Sequence, residues 1–169
     1  MSKVIERIVY NKLYSFLSPS LSTRQSGFRK SDGAEFQLLR LVQRWSELPD
    51  KSCYVRTVFF DLRKAFDNVW HRGLIAKLKA AGVSDGALAW FLNYLSHRTQ
   101  RTIVGRTLSS VLPLSAGVPQ GAILSPLLFL LYVNDFPTAV EKLTFSLMTH
   151  HFLFPILILR SFVLIYNKQ

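Results

Sequence analysis

Cysteine is nearly absent. Cys53 stands alone in 169 residues, so no internal disulfide can form and a disulfide-stapled extracellular scaffold is excluded. Acidic residues are scarce as well: 10 Asp plus Glu face 21 Lys plus Arg, a formal charge of +11. A surplus of that size in a short chain points to a polyanion or an anionic surface as partner. Long apolar runs are missing too, since no stretch reaches the roughly 18 uninterrupted apolar residues of a membrane helix. Met1 opens no charged-then-apolar leader. Polytopic membrane proteins are thereby disfavoured, no membrane partner is expected, and a reducing compartment, cytoplasmic or nuclear, is the expected location. What the chain does have is core-forming material: 49% of its residues are hydrophobic, which argues against intrinsic disorder and provides for one domain or a piece of a larger one.

Val4, Ile5, Ile8, Val9, Leu13, Phe16 and Leu17 recur at helical spacing until the Ser18-Pro19-Ser20 cluster, which predicts an amphipathic helix over residues 4–17. After a polar, glycine-marked stretch, Phe36, Leu38, Leu39, Leu41, Val42 and Trp45 predict a second helix ending before Pro49. Residues 54–60 are β-branched and aromatic and read as a buried strand ending at Asp61. Asp67 suits the N-cap of a helix that carries Val69, Trp70, Leu74, Ile75 and Leu78 and closes at Gly82. Ser84 can cap the next helix, residues 101–104 and 111–114 read as short strands about a turn at Gly105, and an apolar helix is expected over 122–136 with Pro126 in its first turns. Trp45, Trp70 and Trp90 fall on helical stripes and are expected to anchor the core. The irregular mixture predicts an α+β fold, mainly helical with a small antiparallel sheet.

Chemistry can sit in two places. Asp61 ends a hydrophobic strand and Asp67 opens the next element, and strand-end carboxylates are good ligands for hard cations such as Mg²⁺. A helix cap explains Asp67 equally well. Gly117-Val118-Pro119-Gln120-Gly121 sets a rigid turn between flexible glycines ahead of an apolar helix, which lets backbone approach a ligand closely, although a plain turn before a core helix has the same pattern.

These two segments carry a family resemblance. Phe59-Phe60-Asp61-Leu62-Arg63-Lys64-Ala65-Phe66-Asp67-Asn68-Val69, followed by residues 117–129, resembles motifs A and B of the reverse transcriptases of non-LTR (LINE-type) retrotransposons. Gln25-Ser26-Gly27-Phe28-Arg29-Lys30 is similar to the family's fingers motif, and residues 90–100 are also typical of it. The resemblance covers about residues 2–144. It implies a partial right-hand polymerase, fingers and incomplete palm, that extends a DNA primer on an RNA template from deoxynucleoside triphosphates, with Mg²⁺ as cofactor and two metal ions about 4 Å apart. By motif match Asp61 is a catalytic metal ligand and the carbonyl of Leu62 a second metal contact. Phe66 matches the bulky gate against a ribose 2′-hydroxyl, and Gln120 and Gly121 match the turn behind the incoming nucleotide. Arg29 is a candidate for the nucleotide phosphates, or else a template-strand or solvated arginine. Arg24, Arg29, Lys30, Arg40, Arg63, Lys64, Arg98, Arg101 and Arg106 are expected to contact template and primer phosphates.

The resemblance also implies a carboxylate pair written Phe or Tyr, Ala, Asp, Asp, and these residues hold none: after Asp67 the acidic side chains are Asp85, Asp135 and Glu141. A lone Asp61 holds two divalent cations poorly, so a catalytically dead fragment is expected. Residues 145–169 form a segment of another character, apolar around Pro155 and Arg160 and without acids. Phe145-Ser146-Leu147-Met148-Thr149-His150 can be encoded by DNA whose third-base frame reads Phe-Ala-Asp-Asp-Thr. The expected organisation is therefore a partial reverse transcriptase domain over 1–144 and an out-of-frame tail over 145–169. The alternatives are a non-catalytic module that grips RNA or an RNA:DNA hybrid, and a tail-anchored membrane protein, which Arg160 and Pro155 oppose. His150 and His151, with His71 and His97 at unrelated spacings, make no zinc signature.

Overall fold

The apolar periodicity at the start of the chain becomes α1 (Ser2–Leu17), closed by a 3-10 turn over Ser18–Ser20 in the Ser-Pro-Ser cluster. In this computed structural model residues 2–23, 25–30, 32–47, 56–60, 62–136, 147–149 and 160–166 are described. The chain divides into two units, residues 1–20 with 64–132, and residues 21–63 with 133–169.

The first unit is built from α1, α3 (His71–Ala80), α4 (Asp85–Leu95) and α5 (Ser125–Tyr132), with α3 packed on α4 and α5, and α1 on α5. Leu74, Leu78, Leu88, Phe91, Leu95, Leu124, and Leu127 through Leu131 form its core. α5 is apolar all round and buried all round, as such a helix must be. It is shorter than its hydrophobic run suggests. The turn at Gly121 continues to Leu124, whose carbonyl accepts the first intrahelical bond from Leu128 N–H at 3.0 Å, and Pro126, lacking an N–H, sits in the first turn where none is needed. α3 ends as predicted at Gly82, which has φ 90°. Gly82 N–H bonds Lys79 O at 2.9 Å and Val83 N–H bonds Leu78 O at 3.1 Å, the paired bonds of a Schellman cap.

Two expectations change here. The face of α1 that is buried holds Glu6, Leu13, Tyr14 and Leu17, while Val4, Ile5, Ile8 and Phe16 are exposed. Helical spacing is satisfied by more than one stripe, and the one that meets α5 includes an acid with a backbone partner there. Trp70 and Trp90 are exposed rather than core anchors; Trp90 stacks on Tyr94 at 5.4 Å and 10°, and Trp70 covers Gly73, where an added Cβ would stand 2.7 Å from its ring.

Residues 98–114 leave the helices as a ribbon: β2 (Thr99–Gln100) pairs with β5 (Leu112–Pro113), and β3 (Ile103–Val104) with β4 (Thr107–Leu108). The second unit holds α2 (Ala34–Glu47) and an antiparallel sheet in the order β1 (Arg56–Phe60), β7 (Arg160–Tyr166), β6 (Leu147–Thr149). Val58 stands opposite Leu164 and Met148 opposite Ser161. The strand that ends at Phe60 is thus paired by a strand from residues 145–169. Helices with a small antiparallel sheet agree with the α+β expectation. Among the described residues no helix is long and apolar enough to cross a membrane.

Candidate functional site

After β1 the chain does not enter a helix at once. Asp61, Arg24, His150 and His151 lie outside the described residues. Residues 63–68 form turns in which Lys64 takes φ 51°, and its carbonyl accepts from both Asp67 N–H and Asn68 N–H at 3.0 Å. α3 starts only at His71 behind Trp70, so Asp67 caps no helix. This corrects the capping alternative, and it frees the Asp67 carboxylate for another partner.

That partner is Gln120. Its Nε2 donates to Asp67 Oδ1 at 2.9 Å, and the two chain segments around them are tied through backbone. Gly117 N–H donates to Val69 O at 2.8 Å and Val118 N–H to Phe66 O at 2.9 Å. His71 Nε2 lies 2.8 Å from Gly117 O, and since a carbonyl only accepts, the ring must carry its proton on Nε2. Gly117 has φ 91°, and an added Cβ would fall 2.9 Å from the Asp67 carbonyl oxygen and 3.0 Å from its Cα. Only glycine permits this approach.

The surroundings hold the junction still. The Phe66 ring is half-buried and sits 5.3 Å from Phe129, tilted at 57°. Ser125 Oγ donates to Pro119 O at 2.6 Å, Ile123 N–H donates to buried Glu6 Oε2 at 2.7 Å, and Lys3 Nζ donates to Gly121 O. Gly121 has φ 74° and open space where a Cβ would be, and Gln120 is exposed beside it. Behind them the Tyr94 hydroxyl is buried. Burial first, and then the Glu6 charge, push its pKa up to about 12, against lowering by Arg98 and Ser125.

Of the predicted site residues, Phe66, Gln120 and Gly121 are brought onto one junction in the first unit. Leu62, half-buried, and Arg29 belong to the second unit. There Arg29 Nη1 donates to Ser22 O at 2.6 Å and Ser22 N–H donates to Asn134 Oδ1 at 2.7 Å. Nearby, Ser26 Oγ donates to Gln37 Oε1 at 2.8 Å and Arg40 pairs with Asp32 at 3.3 Å. Residues missed by sequence reasoning are Asp67 in its actual role, His71, Glu6 and Lys3. Only Glu6 carried a signal, an acid set inside the apolar run of α1. Among the described residues no three His, Cys, Asp or Glu side chains cluster as a metal would require.

Residues 1–159 match the reverse transcriptase (RNA-dependent DNA polymerase) family, and the chain belongs to that family. It is 34% identical over 140 residues to the RNA-directed DNA polymerase from mobile element jockey of Drosophila melanogaster, covering 82% of this chain and 15% of that protein. It is 35% identical over 141 residues to the probable RNA-directed DNA polymerase from transposon BS of the same species, covering 81% and 15%. A retrovirus-related Pol polyprotein from the type-1 retrotransposable element R2 of Popillia japonica is 31% identical over 84 residues, 50% of this chain and 14% of that protein. The resemblance to non-LTR retrotransposon reverse transcriptases is thereby borne out. The chain spans about 15% of the length of the first two relatives.

Proposed function

We propose that this chain is the fingers and incomplete palm of a non-LTR retrotransposon reverse transcriptase, and that the junction of residues 64–71 with 117–121 is the wall against which a deoxynucleoside triphosphate rests. The observation that carries this reading is the backbone-locked contact between the two motifs, with Gln120 held by Asp67 at 2.9 Å. Phe66, braced by Phe129, is the gate against a ribose 2′-hydroxyl. Gln120 and Gly121 back the nucleotide, with Gly121 leaving room for close approach. Arg29 has one nitrogen committed to Ser22 O and further donors to offer a phosphate. The basic surplus grips an RNA template and DNA primer through phosphates.

Divalent metal is the family's cofactor, Mg²⁺ by expectation, with Asp61 and the Leu62 carbonyl as its contacts. The donor set does not fit a two-metal centre. Asp67, the carboxylate closest in sequence, is engaged by Gln120, and beyond it the acids are only Asp85, Asp135 and Glu141. Nucleotidyl transfer by these residues alone is therefore not expected, and residues 145–169 are read as the product of a shifted frame that replaced an Ala-Asp-Asp pair. Binding is the property to test. Fluorescence anisotropy of a labelled RNA:DNA hybrid should show saturable binding whose logarithmic salt slope corresponds to about four or more phosphates. A chain that ignores the hybrid at low salt would overturn the proposal.

A further inference from the structure

The ribbon over residues 98–114 is unlike the rest of the first unit, because every residue from 99 to 113 is exposed. Its shape follows from its sequence. Gly105, with φ 61°, is the first of two central residues between Val104 and Thr107, the requirement of a type II′ hairpin turn, whose twist matches that of the strands. Between the paired positions Gln100↔Leu112 and Ile103↔Leu108, one strand has two residues and the other three. That extra residue is a β-bulge, which coils the ribbon and breaks its edge. Ser109 N–H to Thr102 O at 2.9 Å and Leu114 N–H to Arg98 O at 2.8 Å hold it together.

The ribbon has no acidic residue, and it carries Arg98, Arg101 and Arg106 together with Thr99, Thr102, Thr107 and Ser110. Its tip exposes Ile103 at 66%, Val104 at 74% and Leu108 at 52%. A two-stranded ribbon with bare aliphatics is marginal in water by itself. The charge names the cover: three guanidiniums on a ribbon with no carboxylate of its own complement a polyanion.

Resting on the nucleic-acid reading above, we infer that this ribbon seats on the sugar-phosphate backbone of an A-form duplex, an RNA stem or an RNA:DNA hybrid. The wide, shallow minor groove of such a duplex displays 2′-hydroxyls and admits a flat, hydroxyl-rich surface, whereas its major groove is too narrow. The arginines take the flanking phosphates and the aliphatic tip covers sugar faces.

The test measures hybrid binding of the full chain between 50 and 200 mM salt, the range in which phosphate contacts declare themselves. Arg101→Ala with Arg106→Ala should flatten the logarithmic salt slope by about two and weaken binding about tenfold, with an unchanged circular dichroism spectrum because both positions are exposed. Lys12→Ala with Lys79→Ala removes equal charge from α1 and α3 and should change the slope less. If both double variants change it equally, binding is diffuse and the inference fails while the polymerase reading stands. The same holds if the arginine variant binds like the parent. If the parent chain does not bind the hybrid, both fail. Arginine-dependent pelleting with phosphatidylserine vesicles, with no arginine dependence on the hybrid, assigns the ribbon to a membrane surface and overturns the inference.

Discussion

At the scale of single residues, Gly117 and Gly121 have different work. Both take left-handed φ, 91° at Gly117 and 74° at Gly121, yet only Gly117 faces backbone at 2.9 Å. Gly121→Ala should cost about 1 kcal/mol, the ordinary penalty of a left-handed alanine. Gly117→Ala adds the collision with Asp67 and should cost about 3 kcal/mol or more; urea denaturation of both variants checks the ranking. Tyr94 makes a second prediction. Its pKa stands near 12 in the fold against 10.0 for an ordinary tyrosine, so the fold favours the protonated phenol. That contribution is complete below pH 10 and is lost as pH rises through 12. Tyr94→Phe should abolish this part of the alkaline loss of stability, and ultraviolet titration showing every tyrosine ionising near 10 would contradict it. Reading the sequence singled out Phe66, Gln120 and Gly121, which the fold brings to one junction. It did not reach the Asp67–Gln120 bond, because an Asp three positions before the true cap residue Trp70 looks like a cap until the turn geometry is seen.

At the scale of elements, Glu6 ties α1 to the turn that precedes α5 by accepting Ile123 N–H. Glu6→Ala leaves that donor unpaired in a part-buried place and should destabilise by about 1–3 kcal/mol, while Glu6→Gln, which keeps an acceptor, should cost less. Either change removes the charge beside Tyr94 and should lower the pKa of Tyr94, a shift that thermal melts of the same variants cannot mimic. Element spans were legible where a local signal ends them, α1 at Ser-Pro-Ser and α3 at Gly82; in the ribbon the turn at Gly105 was legible, but the strand expected over 101–104 is Ile103–Val104 and pairs with Thr107–Leu108, not with 111–114. The buried face of α1 was not legible, since its exposed Val4, Ile5 and Ile8 are as apolar as its buried Leu13 and Leu17. Which stripe meets a neighbour is a tertiary fact.

At the scale of the whole molecule, composition foresaw a basic α+β chain and the motifs foresaw its family. The division into two units was not legible, because one continuous stretch of sequence straddles it: β1 lies in one unit, Phe66 and Asp67 in the other. Residues 145–169 supply β6 and β7 of the sheet that holds β1. The frame-shift proposal is checked in the coding DNA across residues 144–149, where codons for Ser146 and Leu147 ending in G, with Ala-Asp-Asp in the shifted frame, are expected. The central claim is that the nucleotide wall is built while the carboxylate pair for chemistry is wanting. Primer extension measures this directly: the chain with an RNA template, an annealed DNA primer, deoxynucleoside triphosphates and Mg²⁺. The account predicts that the primer is bound and not lengthened, whereas template-directed lengthening that Asp61→Asn abolishes would contradict it.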